Sequence, residues 1–339
     1  MEESINKSLK DNIFVNIKSN FVLKRIFNIL PEKKLLEIIQ YNKKIQKRIN
    51  KDIQDFKKYL NIEIEIIPAE SGKFINIPKN KSQQSYYHIF FDDSRKEIKN
   101  TYSITNEIKS KIKIIVDFEI QSLRQLFEDG EGIKILKFTK FNRKDIIDMS
   151  YMFYQCTSLT HIDLSKMKTD EVKDMRSMFK GCSSLKELNL SNFNVEKVED
   201  FGWMFYGCKS LLKLNLANFY TPSLIRTNHM FHGCLSLKEL NLSKFNTDNV
   251  WDMSGMFYEC NSLIELDLSN FNTKNVRDMY CLFYNCSSLV KLNISNFNFN
   301  NVKDMRNFLY YNKYGNENKN KKTIIIYPDE IIKYHIQNL

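Results

Sequence analysis

The hydrophobic and polar positions of residues 148–303 repeat with a period of 26 residues over six full units. Three apolar columns keep one residue type in every unit, and the clearest consists of Cys156, Cys182, Cys208, Cys234, Cys260 and Cys286. A phenylalanine column begins at Phe153 and a leucine column at Leu159. With a degenerate unit before it and a truncated unit after it, the pattern covers residues 122–310. A fixed period of this size predicts stacked structural repeats with modified units at both ends.

Within one repeat the hydrophobic period changes. Leu188 and Leu190 alternate with polar residues, which is typical of a half-buried strand. Over residues 198–208 the apolar spacing becomes 3, 3, 1 and 3, which predicts a short helix. A single unit cannot bury its apolar stripe alone, so we expect neighbours to stack. The predicted fold is an α/β leucine-rich-repeat solenoid, with a parallel sheet on one face and short helices on the other.

The residues before the repeats predict an α+β N-terminal region. Apolar residues at helical spacing predict short helices in residues 1–60, with Pro31 opening the second. Alternation at residues 62–66, 74–77, 86–91 and 112–116 predicts strands. We therefore expect four parts: a helical head at 1–60, a β-rich cap at 61–121, the solenoid at 122–310 and a C-terminal cap at 311–339.

Charge and glycine content narrow the possible ligands. The formal charge is +11, from 51 basic and 40 acidic residues. Residues 1–60 hold 14 basic and 7 acidic residues, whereas residues 148–303 hold 16 of each. Long-range attraction to phosphate is therefore not expected of the repeats, and we expect no nucleic-acid partner. The chain has only 9 glycines and lacks G-x-G-x-x-G and P-loop patterns, which excludes the usual dinucleotide and P-loop enzymes.

The cysteines and histidines suggest no chemistry. One cysteine in each repeat is expected to pack as a small buried hydrophobe, and only Cys281 stands outside that column, where we expect it to be accessible. None of the five histidines has a local catalytic signature. His229, His232 and Cys234 are close in sequence but lack an evident fourth zinc ligand. The prediction is a non-enzymatic protein without catalytic residues, metal or cofactor.

Exposed positions of the repeat are the candidate binding residues. One strand position varies in charge along the array and consists of His161, Glu187, Lys213, Glu239, Glu265 and Lys291. Two positions later, a uniform Asn/Asp column is either part of the same surface or purely structural. Trp203 and Trp251 differ in residue type from the equivalent positions of the other repeats. Exposed aromatic residues are enriched at interface hot spots, which makes both tryptophans candidates. Packing of both tryptophans over the repeats is the alternative.

Residues 256–279 carry the pattern M-F-x-x-C-x-S-L-x-x-L-x-L-S-x-F-x-T-x-x-V-x-D-M. It resembles the BspA-type leucine-rich repeat, which also occurs in mycoplasma surface lipoproteins and in microbial eukaryotes. The resemblance implies a scaffold that binds another protein of unknown identity, with no small-molecule substrate. Because bacterial members are generally secreted or lipid-anchored adhesins, a surface adhesin is one alternative. The usual repeat has Asn after its strand, whereas this chain has Phe, so we expect a phenylalanine spine to replace the asparagine ladder.

The chain shows no apolar run near the roughly 20 residues that span a bilayer. Its first residues are polar and of mixed charge, unlike a secretory signal. We therefore expect no membrane span and a cytoplasmic location.

The head also resembles an F-box. Ile26, Phe27 and Leu30 match its first apolar part, and Leu35, Leu36 and Ile39 match the second. An F-box implies docking to a Skp-type adaptor of a cullin ubiquitin ligase, which makes Ile26, Phe27 and Leu30 docking candidates. A substrate adaptor of that ligase is thus the second functional alternative, and a purely structural cap is the other interpretation of the head.

Overall fold

The computed structural model describes residues 14, 16–30, 35, 38, 42–51, 57–69, 71–92, 94–99, 101–103, 111–310 and 324–326. The chain divides into two compact units, residues 1–61 and 62–339. Over the described residues it is a mixed α/β protein with many strands, few helices and open sheets. The finer four-part division of the chain stays a prediction.

The first unit contains the helices α1 (Asn20–Ile29), α2 (Lys43–Ile49) and α3 (Lys57–Leu60). Ser19 caps α1 by accepting a hydrogen bond from the Val22 N–H at 3.3 Å, and Asn42 caps α2 in the same way. Arg48 joins the two helices, because its guanidinium donates to Asn20 Oδ1 at 2.8 Å and to the Lys18 carbonyl. The predicted first helix is confirmed, whereas the second, from Pro31, falls largely outside the described residues.

The second unit begins with an antiparallel sheet. Its elements are β1 (Ile62–Pro68), β2 (Gly72–Lys73), α4 (Lys81–Gln84), β3 (Tyr87–Phe91), β4 (Tyr102–Ser103), β5 (Ile112–Val116) and β6 (Ile133–Lys140). The main sheet has the order β3-β5-β1-β6-β7, in which β7 (His161–Asp163) is the first strand of the repeats. β1 pairs with β5 and β6 in antiparallel fashion, and β6 pairs with β7 in parallel. β6 therefore joins the sheet to the repeats.

Period-2 alternation explains β1. Ile62, Ile64 and Ile66 are fully buried, while Glu63 lies on the opposite face between Lys113 and Lys140. The strands predicted around residues 62–66, 86–91 and 112–116 are confirmed. The strand predicted at 74–77 is wrong, because the chain there runs as a connection whose N–H groups bond to separate elements, such as Asn76 to the Leu126 carbonyl.

The repeat strands are only three residues long. They are β7, β8 (Lys213–Asn215), β9 (Glu239–Asn241), β10 (Glu265–Asp267) and β11 (Lys291–Asn293), and β12 (Ile324–Ile326) follows. Parallel pairing is present between β8 and β9 and among β10, β11 and β12. The expected continuous sheet is interrupted between β9 and β10, which belong to different sheets, and at residues 187–189, which form no strand. At that point the Leu212 N–H still donates to the Lys186 carbonyl, which keeps the two repeats together.

The predicted helices of the repeats are absent, since residues 122–310 are all described and contain none. In residues 198–208, alternate N–H groups bond across repeats: Trp203 donates to the Asn228 carbonyl and Phe205 to that of Met230, both at 2.9 Å. The intervening groups close local turns, as Met204 does with the Phe201 carbonyl. Left-handed backbone at Trp203 and Gly207 prevents helix continuation. A succession of turns reproduces the apolar spacing of a short helix.

Side-chain ladders connect the buried interior. The phenylalanine column that starts at Phe127 stacks from repeat to repeat with centroids 5.4–5.8 Å apart. Each column cysteine donates its S–H to a phenylalanine carbonyl of the preceding repeat at 3.0–3.3 Å. Burial raises the pKa of Cys208 to about 12. The expected buried cysteine column is therefore confirmed, and each thiol also bonds one repeat to the next.

The phenylalanine spine is present, but it does not replace an asparagine ladder. Phe193 and Phe219 are buried, yet the residues just before them, Asn192 and Asn218, donate their amides to carbonyls of the preceding repeat. Asn270 does the same. The ladder lies one position earlier than expected, because the buried side of this turn is already filled by the aromatic ring.

Candidate functional site

The strand column is the set His161, Glu187, Lys213, Glu239, Glu265 and Lys291, and all six residues are exposed. Lys213 Nζ lies 2.6 Å from Glu239 Oε1, although both side chains are about two-thirds exposed. Such a surface pair contributes little stability and is open to competition by other charges. All six predicted candidates are therefore exposed, and the sign of their charge varies from repeat to repeat.

The uniform Asn/Asp column beside it is structural. In each full repeat, its side-chain oxygen accepts the backbone N–H two residues later, at 2.9–3.1 Å. In the repeat with Asn189, for example, the donor is Ser191. This Asx turn ends the strand segment, so the uniformity of the column follows from its turn geometry.

Trp203 lies half-buried next to an aromatic ladder, which consists of Tyr206, His232, Tyr258, Tyr284 and Tyr310. Rings of this ladder stack with centroids 4.2–5.1 Å apart. Trp203 itself stacks on His229 at 5.7 Å, with Lys180 Nζ 6.0 Å from its ring. These contacts favour the packed interpretation of Trp203 over that of a free hot-spot residue.

His229 and His232 form a pair at the centre of this region. Their Nδ1 atoms are 3.1 Å apart, so one ring donates and the other accepts. Burial lowers the pKa of His229, and burial together with His229 and Lys180 lowers that of His232 to about 4. Gly255 leaves the space for the His229 ring, since a Cβ at that position would overlap Nδ1. Both imidazoles are thus held neutral at pH 7.

Trp251 lies in a different environment, a surface depression of about 630 Å³ lined by Asn249, Trp251, Asn275, Arg277, Asn301 and Lys303. We call it the basic depression. Trp251 is 39 % exposed, and the Arg226 guanidinium carbon lies 5.5 Å from its ring centroid. Arg226 also forms an ion pair with Asp200 at 3.5 Å, which holds the guanidinium over the ring. The ring is fixed on one side and open to solvent on the other.

Three asparagines form an amide row in this depression. Asn249 donates its side-chain N–H to the Pro222 carbonyl at 3.0 Å, and Asn275 donates to that of Asp248 at 2.6 Å. Asn301 repeats the contact with Lys274, also at 2.6 Å. Each amide is thereby oriented by the preceding repeat. Trp251 and Trp203 occupy different columns, so the two predicted tryptophans do not belong to one site.

The remaining chemistry-bearing groups have structural contacts. His88 bonds Asp117 at 3.1 Å and Glu97 at 3.3 Å; burial alone lowers its pKa, but these two carboxylates raise it overall. Within the described part of the chain there is no group of three or more metal-ligating side chains. Cys281 was expected to be accessible, which is wrong: it is only 2 % exposed, at a position of left-handed backbone with φ of 53°.

The three docking candidates of the head, Ile26, Phe27 and Leu30, differ in exposure. Phe27 is 3 % exposed and packs edge-on against the Phe14 ring at 5.4 Å, so it is not an available apolar residue. Ile26 and Leu30 are half-buried, and Leu36 and Ile39 lie outside the described residues. Phe21 and Ile29 of α1 are more exposed than these candidates, and the helical period places both on a different face of the helix from Phe27.

Two features escaped the sequence-based prediction. The aromatic ladder was visible as a Tyr/His column with the same period of 26 from Tyr206 to Tyr310. The amide row was visible as Asn at one column in three successive repeats. Both columns keep a polar or aromatic residue type, whereas the predicted candidates Trp203 and Trp251 are residues that differ from the rest of their columns.

Comparisons with known proteins address the repeats alone. A family described as "Mycoplasma protein of unknown function, DUF285" matches residues 121–239 and, a second time, residues 212–322. The two matches together cover more than half of the chain. No curated protein matches it. None of the helices in the described ranges is long and apolar enough to span a bilayer.

Proposed function

The chain belongs to the family described as "Mycoplasma protein of unknown function, DUF285", and we propose that its repeats form a leucine-rich-repeat solenoid that binds another protein. Parallel pairing of short strands one repeat apart supports the solenoid. So do the isolated parallel bridges that run from Ser122 to Asp304 in steps of 26 residues. Stacked repeats of this kind expose an extended surface suited to a macromolecular partner.

One observation carries the proposal: the bonded frame is uniform while the strand column varies. Asx turns, thiol contacts and phenylalanine stacks recur in each full repeat. Between them, the strand column changes from His161 to Glu187 to Lys213 while these three kinds of contact persist, even though residues 187–189 form no strand. A rigid support with a changeable exposed charge pattern is what electrostatic recognition of a partner requires.

The proposal includes the absence of catalysis. His88 is paired with two carboxylates and the His229–His232 pair is closed on itself, so none of these rings is directed at a nucleophile. His161 is exposed in the strand column. The four histidines among the described residues thus take part in contacts within the fold or lie on its surface.

Charge reversal in the strand column tests the proposal. We expect the double variant Glu187→Lys with Glu239→Lys to lose about tenfold or more in affinity, because like charges at an interface are strongly unfavourable. The measurement is quantitative affinity capture from a lysate of the expressing cell, followed by titration of the recovered protein. The matched control, Glu131→Lys with Glu196→Lys, makes the same change in net charge at exposed positions elsewhere. Equal recovery by both double variants would contradict the proposal.

The same capture discriminates between the alternatives. Recovery of cullin-ligase subunits would favour the F-box-type substrate adaptor, and the exposed Phe21 and Ile29 of α1 are the apolar residues available to such an adaptor. Recovery of extracellular proteins would favour the adhesin. The cytoplasmic location stays part of the proposal, and fractionation of the expressing cell tests it.

A further inference from the structure

We propose that the basic depression binds an acidic segment of the partner protein, whose carboxylates pair with Arg277 and Lys303 while an apolar side chain packs against Trp251. This inference rests on the proposed function, because it names the chemistry of one part of that partner. It concerns a surface outside the strand column, formed by two other columns of the last three full repeats.

Unpaired positive charge is the first reason. Arg277 and Lys303 are both exposed, and neither forms an ion pair with any described residue. The lining of the depression contains no carboxylate. In two earlier repeats the same columns carry both signs, with Glu171 and Lys173 in one repeat, Lys197 and Glu199 in the next, and an ion pair of 2.5 Å between Lys197 and Glu171. The local charge is therefore left for a ligand to neutralise.

The aromatic ring is the second reason. Arg226 covers one side of Trp251 and is itself held by Asp200, so the indole is already ordered before any ligand arrives. An ordered, partly exposed tryptophan loses little conformational freedom on binding, which is why such residues serve as anchors. The cations and the indole together fit an acidic segment that also carries an apolar or aromatic residue.

The amide row adds a means of holding a peptide backbone. Asn249, Asn275 and Asn301 each use one N–H to bond the preceding repeat. Each keeps a second N–H and its Oδ1 without a partner among the described residues. Primary amides offer both a donor and an acceptor, as a peptide bond requires. An extended segment laid along the row can therefore have its backbone groups satisfied.

A peptide fits this surface better than a nucleic acid. The residues that directly follow Trp251, Arg277 and Lys303 are Asp252, Asp278 and Asp304, which form an acidic column beside the depression. Residues 148–303 also carry no net charge. A phosphate backbone with one charge at each nucleotide would meet these carboxylates as soon as it left the two cations. A short acidic peptide segment has few charges and avoids them.

The test is fluorescence anisotropy with a fluorescein-labelled peptide in which Glu and Asp alternate with Phe. The matched peptide has Gln and Asn in place of the acids, and single-stranded oligothymidine is the nucleic-acid probe. We expect the acidic peptide to bind, with affinity falling as salt is added. Arg277→Gln with Lys303→Gln should weaken binding about tenfold or more, and so should Trp251→Ala. Lys173→Gln, in the same column but outside the depression, should leave binding unchanged.

Several outcomes would overturn the inference: no binding of the acidic peptide, equal binding of the neutral peptide, tighter binding of oligothymidine, or full affinity in the double variant. Because all substituted side chains are exposed, a thermal melt is expected to match that of the wild type and to exclude unfolding as the cause. If the peptide fails while the strand-column variants still lose a captured partner, this inference fails alone. If the peptide binds but the strand-column substitutions do not change the capture of a partner, the proposed function is contradicted instead.

Discussion

The antiparallel sheet and the repeats of the second unit bury their apolar residues in opposite ways. In the sheet, β1 forms five-residue and longer pairings with β5 and β6, and ion pairs such as Lys113–Glu63 at 2.9 Å cross the strands. In the repeats, strands have three residues, and recurring side-chain contacts connect one unit to the next. Backbone pairing is continuous in the first region and intermittent in the second.

The two regions therefore differ in whether their stabilising contacts are unique or recur along the chain. Every contact of the sheet occurs once, so a substitution there has no counterpart elsewhere in the chain. A contact of the repeats recurs in successive units, up to seven times for the isolated bridges, so the stability cost of its loss can be compared between equivalent positions of one molecule. The two regions meet at Arg143, which is fully buried, bonds Asp145 and the Asp117 carbonyl, and lies 4.9 Å from the Phe118 ring centroid.

Removal of this junction should have the largest effect. Arg143→Met is expected to lower the free energy of unfolding by about 3 kcal/mol, because it breaks a buried ion pair and removes one of the two donors to the Asp117 carbonyl, the other being the Ile120 N–H. The measurement is urea denaturation. Lys144→Met is the control, since it removes a partly exposed pair with Asp170 and should cost less than about 1 kcal/mol. Equal midpoints for both variants would mean that the two regions are held together elsewhere.

A smaller effect is expected inside the repeats. Thr221 is buried, donates to the Asn246 carbonyl at 2.8 Å and accepts the Asn246 N–H at 2.9 Å. Thr221→Val keeps the shape but leaves that N–H without its acceptor, so we expect a loss of about 1–3 kcal/mol in urea denaturation.

The chain offers a matched control for this variant. Val195 occupies the threonine column naturally, and in the following repeat the Tyr220 N–H bonds the Asn218 carbonyl instead. Val195→Thr should therefore change the free energy of unfolding little. If the Thr221→Val protein is as stable as the wild type, the Asn246 N–H must find another acceptor, as the Tyr220 N–H does with the Asn218 carbonyl.

The smallest expected effect is a difference in pH response between the two regions. The pKa of His232 is lowered to about 4 in the folded repeats, from the ordinary value near 6.5. The unfolded chain therefore takes up a proton first as the pH falls below 6.5, and the repeats lose stability on acidification. Because the ring is partly exposed, we expect a loss of about 1 kcal/mol between pH 7 and pH 4.5.

His88 of the sheet should respond with the opposite sign. Its pKa is raised by Asp117 and Glu97, so its contribution is complete below about pH 6.5 and is lost as the pH rises through the folded value. Urea midpoints measured over this range for His232→Gln and His88→Gln separate the two. His232→Gln should reduce the loss on acidification, whereas His88→Gln should increase it. Parallel pH profiles for both variants and the wild type would refute this assignment.

The sequence predicts the frame of the fold better than its local backbone. Alternation around Ile64 and the column of Cys208 each have one physical interpretation, and both were confirmed. The apolar spacing of residues 198–208 has two physical interpretations, because successive turns place apolar side chains inward just as a short helix does. Gly207 and its equivalents Gly181 and Gly233 were the available sign of left-handed backbone. The decision between turn and helix depends on N–H groups that bond another repeat, which one unit of sequence does not reveal.

The candidate binding residues were likewise predictable only in part. Exposure of the strand column follows from alternation, so its residues could be named from the sequence. The different environments of Trp203 and Trp251 could not, because they depend on neighbours one repeat away, His229 for the first and Arg226 for the second. Burial of Phe27 within the head was equally hidden, since helical spacing identifies an apolar face but not what covers it.

The turn hydrogen bonds join residues a constant 25 positions apart, as in Ser177 to Gly202, Trp203 to Asn228 and His229 to Ser254. Such bonds are defined by distance along the chain and not by the identity of the side chains. Duplication or deletion of one whole unit by recombination therefore preserves every donor–acceptor relation, whereas insertion of a single residue misaligns one connection. The array can lengthen or shorten in steps of 26 residues, and its exposed surface can grow by copying before the charges on it diverge.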